Sequence, residues 1–131
     1  MMNAASTELK PLRILVLDDE PGILRMFQTA LANYGYVTEA ASDATAALEL
    51  LAQRRFDVVV TDVHMPGCGG IDFLRRLRER CGPIPVIVMT GRASDETSTQ
   101  ARELGAFRCL TKPVMPRTLR DVIESATRPR Q

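Results

Sequence analysis

Four short apolar runs, each leading at its carboxyl end into a residue that can carry chemistry, constrain the fold of this chain most. Ile14-Leu15-Val16-Leu17 stops at Asp18-Asp19, Val58-Val59-Val60 runs up to Asp62, Val86-Ile87-Val88-Met89 stops at Thr90, and Cys109-Leu110 leads to Lys112-Pro113. Unbroken apolar runs of this length mark strands buried on both faces of a parallel sheet, and ligands of such sheets bind just beyond the strands' carboxyl ends. Asp18, Asp19, Asp62, Thr90 and Lys112 are therefore expected to converge on one edge. Three carboxylates, a hydroxyl and an ammonium suit a divalent cation and a phosphoryl group: the carboxylates take the oxygen-loving metal, and Lys takes the phosphoryl charge.

Helical patterns fill the intervals. Behind Pro21, residues Ile23, Met26, Phe27, Ala30, Leu31 and Tyr34 recur at helical spacing until Gly35. A short strand over 37–40 precedes a helix with Ala44, Ala47, Leu48 and Leu51 on its apolar face and Ser42 or Asp43 as cap. Phe73, Leu74, Leu77 and Cys81 line a third helix that Gly82-Pro83 stops. The segment 94–104, capped by Ser94, is mostly polar, with Ala101 and Leu104 its few apolar residues, and is expected to be the loosest helix. A fifth strand over 107–110 precedes a last helix with Leu119, Val122, Ile123 and Ala126 as its buried stripe. This alternation indicates an α/β fold, a doubly wound parallel sheet with right-handed crossovers.

With 131 residues, 45% of them hydrophobic, the chain supports one core and is too short for two ordinary domains. The expected division is a mobile leader over 1–12, a domain over 13–127 and a frayed tail over 128–131. A net charge of +1 supplies no field that would select nucleic acid or an anionic membrane. Cys68, Cys81 and Cys109 lack the paired spacing of a zinc site, no secretory leader opens the chain, and no apolar run approaches the roughly 20 residues needed to span a bilayer. Three reduced thiols in a soluble, cytoplasmic protein are expected.

Taken singly, the acidic residues have ordinary explanations. Acids favour helix starts, as does Pro at the first helical position, which would account for Asp18-Asp19-Glu20-Pro21. Asp62 before a Gly-rich loop could be a turn residue. Turn residues, however, have no reason to supply acids at two strand ends, a hydroxyl at a third and an ammonium at the last. Lysine usage points the same way: of 17 basic residues only Lys10 and Lys112 are lysine. Lys112 stands where a compact point charge would reach a phosphoryl oxygen.

The stretches LVLDDEP, VVVTDVHMPGCGG, VIVMTGR and LTKP resemble, in order and spacing, the signatures of the receiver domains of two-component response regulators, from about Arg13 to Ala126. The resemblance implies a flavodoxin-like five-stranded sheet, strand order 2-1-3-4-5, with five helices. It makes Asp62 the phosphoacceptor, Asp19 a direct Mg²⁺ ligand, Asp18 a ligand through water and the His64 backbone carbonyl a further ligand, with Mn²⁺ able to substitute. Thr90 would turn its hydroxyl toward the phosphoryl group and Lys112 would pair with its charge, before a cis bond to Pro113. Implied partners are a sensor histidine kinase or phosphotransfer protein and a downstream protein, with a homodimer through the face formed by the fourth helix, fifth strand and last helix.

The chain departs from the family at Cys109, where an aromatic residue is common, so an aromatic rotamer change loses its residue here. Gly69 replaces a frequent Asp and loosens the loop after Asp62. The His64 side chain and Arg92 belong to the site's rim, where an inert surface role for His64 outweighs modulation of phosphate lifetime. Nothing nearby lowers the pKa of Cys68. The expected function is a single-domain response regulator, not an enzyme acting on other substrates. The alternatives are the receiver half of a larger DNA-binding regulator, or a Mg²⁺-dependent aspartyl-phosphate phosphatase, which would usually carry an Asp where His64 stands. A flavin or nucleotide module of similar fold would be repelled by Asp18-Asp19-Glu20.

Overall fold

The computed structural model describes residues 10–64, 69–91 and 96–128. Strands and helices alternate as β1 (Arg13–Leu17), α1 (Pro21–Asn33), β2 (Val37–Ala41), α2 (Ala44–Gln53), β3 (Val58–Asp62), α3 (Gly70–Cys81), β4 (Val86–Thr90), α4 (Glu96–Glu103), β5 (Arg108–Thr111) and α5 (Pro116–Thr127). The strands pair in parallel in the order β2-β1-β3-β4-β5. Side chains at alternate strand positions leave a sheet on opposite faces, and this sorts the apolar runs into two cores. Ile14, Val16, Val58, Val60, Ile87 and Met89 pack with Phe27 and Leu31 of α1 and Leu119 and Ile123 of α5. Leu15, Leu17, Val59, Val86 and Val88 pack with α2, α3 and Ala101 of α4.

Local signals set the helix ends. Pro21 opens α1, the Asp43 carboxylate caps α2 by accepting the Ala46 N–H at 2.8 Å, and Gly35 and Gly82 end α1 and α3 at φ of 96° and 73°. No helix among the described residues is long and apolar enough to cross a membrane.

Several expectations shift. On α1 the residues facing the sheet are Leu24, Phe27 and Leu31, while Met26 and Tyr34 are 41% and 38% exposed. The helix carries two apolar stripes one position apart, and only one can face a flat sheet. Cys81 is exposed rather than lining α3, because it is the last residue before the chain turns at Gly82. β5 starts at Arg108, leaving Phe107 40% exposed before it. The residues α4 buries are Ser98 and Ala101, so it contributes little apolar burial, as its composition implied. Its expected cap, Ser94, lies outside the described residues.

Candidate functional site

Register brings the chemistry to one edge. Leu17 is level with Thr61, Asp62 with Met89 and Thr90 with Thr111, so Asp18, Asp62, Thr90 and Lys112 finish their strands side by side. The Asp18 N–H still donates to Ala41 O at 3.2 Å, and the Lys112 N–H donates to Thr90 O at 2.7 Å. The ladder thus continues into the site and fixes its backbone.

Asp18 is fully buried, Asp62 is 5% exposed and Asp19 lies at the surface. One Asp18 oxygen accepts the Glu20 N–H at 3.0 Å, a turn that steers the chain into α1. Its other oxygen lies 3.3 Å from Lys112 Nζ. Asp62 is held the same way, Oδ1 accepting the His64 N–H at 3.0 Å and Oδ2 lying 2.8 Å from Lys112 Nζ. One ammonium therefore bridges two buried carboxylates that would otherwise repel each other. Oxygens of Asp18, Asp19 and Asp62 lie within 4.8 Å of one another, and an all-oxygen donor set this close suits a hard divalent cation.

Thr90 is fully buried at the end of β4. The Lys112–Pro113 bond is cis. His64 is exposed, and its backbone N–H is tied to Asp62. Cys109 is half-buried under α4, its thiol donating to Ser98 O at 3.7 Å. Burial pushes that thiol up, away from thiolate chemistry. Arg92 and Cys68 lie outside the described residues.

Gly70 is a site residue that sequence reasoning passed over. A Cβ there would stand 2.6 Å from Asp62 O and 2.7 Å from Val63 Cα, so its bare backbone lets α3 start directly against the end of β3. The Gly69-Gly70 pair at the helix start was the available signal.

Burial raises the Asp18 pKa from 3.8, against the lowering effects of the Glu20 N–H and Lys112. Burial would lower Lys112, but its bond to Asp62 and the charges of Asp18 and Asp62 outweigh this and raise it. An acid raised in the folded state contributes stability below its unfolded pKa and loses it as pH rises through the folded value. Ionised Asp18 is then a cost at neutral pH. Without divalent cations, Asp18→Asn is expected to be more stable than the parent at about pH 7, the advantage shrinking toward about pH 4. Urea denaturation at several pH values measures it, and a less stable variant at neutral pH would show that the Lys112 attraction outweighs burial.

Residues 14–124 match the family described as the response regulator receiver domain. The chain is 35% identical to the chemotaxis protein CheY of Pseudomonas aeruginosa over 86% of its own length and 94% of that protein. It is 36% identical to the response regulator protein PilR of the same organism, over 88% of this chain and 26% of PilR. The chain thus spans about a quarter of PilR and nearly all of CheY. A receiver domain structure from Clostridium thermocellum superposes with a TM-score of 0.84 at 34% identity, covering 88% of this chain and 94% of that one.

Proposed function

Because this chain belongs to the response regulator receiver domain family, we propose that it accepts a phosphoryl group on Asp62 and answers with a change of surface. Receiver domains are signalling modules, not classical enzymes. The observation that carries the assignment is the single ammonium of Lys112 joined to Asp62 and Asp18 beside the exposed Asp19.

In the proposed step an Asp62 carboxylate oxygen attacks phosphorus, a P–O bond forms, and the P–N bond to the donor imidazole breaks, the imidazole leaving with its electron pair. Lys112 neutralises phosphoryl charge, and the Thr90 hydroxyl turns toward the new oxygens. Phosphoryl transfer depends chiefly on such positioning and charge neutralisation. Asp18, Asp19, Asp62 and the His64 backbone carbonyl would hold Mg²⁺ or Mn²⁺, which supplies further neutralisation when bound. The reading as a freestanding regulator is supported by the match to nearly the whole of CheY. The match to a quarter of PilR supports the second reading, a receiver within a longer regulator.

The donor's face is proposed to lie at α1, where apolar residues to the side of the sheet are the supporting observation. Ile23, Met26 and Phe27 line an apolar hollow of about 280 Å³ with Met89, Val114 and Met115, and Lys112 and Pro113 form its wall toward the site. Met115 is 64% exposed there. A helix presenting its histidine to Asp62 would lay an apolar side chain into this hollow. Met26→Glu is expected to slow transfer from a kinase selected from a panel by about tenfold or more, the effect of losing one anchor side chain. Uptake from a small acyl phosphate in Mg²⁺ should continue, and chelating the metal should stop both. Equal loss from both donors would remove the docking assignment, and uptake without divalent cations would remove the metal from the mechanism.

A further inference from the structure

We propose that the foot of the sheet, the edge opposite Asp62, is a docking surface for an acidic peptide segment that carries an apolar anchor. Two hollows of about 850 and 470 Å³ open there, and they adjoin along Pro83, Ile84 and Pro85, which line both. The larger extends toward Phe107 and Ala126, the smaller toward Leu51 and Phe56. Phe107 stays exposed, and a contiguous apolar surface rimmed by polar residues marks an interaction site. The rim is one-sided in charge. Arg78 and Arg128 line the first hollow and Arg54, Arg55 and Arg80 the second, against the single acid Asp57 among the described residues. The whole chain, with 17 basic and 16 acidic residues, has no such excess.

The acids near this edge are already engaged. Asp57 accepts the Arg13 N–H at 2.8 Å, and Glu39 pairs with both Arg13 and Arg54 at 3.0 Å. The Arg78 guanidinium is committed to backbone: Nε donates to Leu104 O and Nη2 to Gly105 O, both at 2.9 Å, and Nη1 donates to Gly82 O at 3.0 Å and Ile84 O at 2.6 Å. These charge-assisted bonds tie the turn after α4 to the turn before β4 and fix the wall between the hollows. Arg55, Arg80 and Arg128 are exposed and hold no ion pair with a described residue. Cations suit the carboxyl ends of helices, which explains Arg54, Arg80 and Arg128 singly. Arg55 lies past the end of α2, and no end effect calls for an apolar floor between the arginines. Guanidinium forks recognise carboxylates, and pockets beside them take flanking apolar side chains. Nucleic acid is less suited, because its phosphates ask for a positive field that a net charge of +1 does not supply. The length of β3 sets the foot roughly 16 Å from Asp62, about two Debye lengths at physiological salt. The site acids therefore do not repel an acidic ligand there, and a partner held at the foot leaves the acceptor edge open.

The test is fluorescence anisotropy on the full chain with a panel of short labelled peptides of glutamate and phenylalanine in varied order, beside glutamate–alanine peptides and a single-stranded oligonucleotide. Saturable binding of a glutamate–phenylalanine peptide is expected, weakened about tenfold or more in Arg55→Glu/Arg80→Glu, where attraction becomes repulsion. Arg25→Glu/Arg117→Glu changes the net charge equally, at exposed positions near the amino ends of α1 and α5, and should weaken binding less than about threefold because those charges are screened from the foot. Beryllofluoride with Mg²⁺ should leave the affinity unchanged. If the double glutamate variant does not fold, Arg55→Gln/Arg80→Gln gives the reading. No saturable binding, or equal loss in the two charge-reversed variants, would overturn the surface. Equal binding of the glutamate–alanine peptides would overturn the apolar anchor, and tighter binding of the oligonucleotide would make the foot a nucleic-acid surface instead. Displacement of the peptide by beryllofluoride would put it at the acceptor edge. The peptide and variant arms stand whether or not Asp62 accepts phosphate.

Discussion

Asp62→Asn is expected to take up no phosphoryl group from a small acyl phosphate in Mg²⁺, where the parent gains one that hydroxylamine removes. An amide oxygen at this position could still accept the His64 N–H, so the loop's anchor survives. The nucleophile does not, because an amide is not an anionic oxygen. The amide nitrogen would also face the Lys112 ammonium, now 2.8 Å from Oδ2, as a donor opposite a donor. Intact mass spectrometry separates the two proteins by one phosphoryl group. Phosphorylation of the variant on His64 or a threonine, at the parent's rate, would show that the acceptor lies elsewhere.

Among Gly→Ala substitutions at the described glycines, Gly70→Ala meets the shortest contacts and is expected to be strongly damaging. Its Cβ would have to displace the Asp62 carbonyl and Val63 Cα, which stand 2.6 and 2.7 Å away. Both are backbone at the end of β3, where the Val63 N–H is bonded to Met89 O, and have no rotamer to change. Overpacking against side chains typically costs about 1–3 kcal/mol, and against backbone the upper end or more is expected, about 3 kcal/mol. For a domain of this size that corresponds to a fall in Tm of roughly 10 °C. The displacement falls on Asp62, so uptake of phosphate by the folded fraction should drop as well. An unchanged Tm in differential scanning calorimetry would mean that α3 can start further from β3 than its contacts imply.

The strands β1, β3 and β4 were legible because buried parallel strands leave a one-dimensional mark, an apolar run with a sharp polar end. The strand ends at Asp18, Asp62 and Thr90 needed nothing more, whereas half-exposed β5 carries only the pair Cys109-Leu110 before Lys112. Contacts made across the fold leave no such mark. Nothing adjacent to Gly70 in the chain says that a strand's backbone presses on it. Arg78 looks like any other basic residue on a polar helix face, although its partners lie 4 to 27 positions away. On α1, periodicity correctly found apolar residues but could not choose between stripes one position apart. Leu24 faces the sheet while Met26 lies to the side, a choice set by the helix's rotation about its own axis, which periodicity alone does not fix.

Lys112 lies 94 positions along the chain from the Asp18 carboxylate it neutralises and 50 from Asp62. During synthesis, the acids of β1 and β3 emerge well before their counterion. A chain still lacking β5 carries carboxylates without the ammonium that makes the site receptive. On the proposed reading, a copy truncated before Lys112 is expected to be silent to the donor, whatever part of the sheet it has formed.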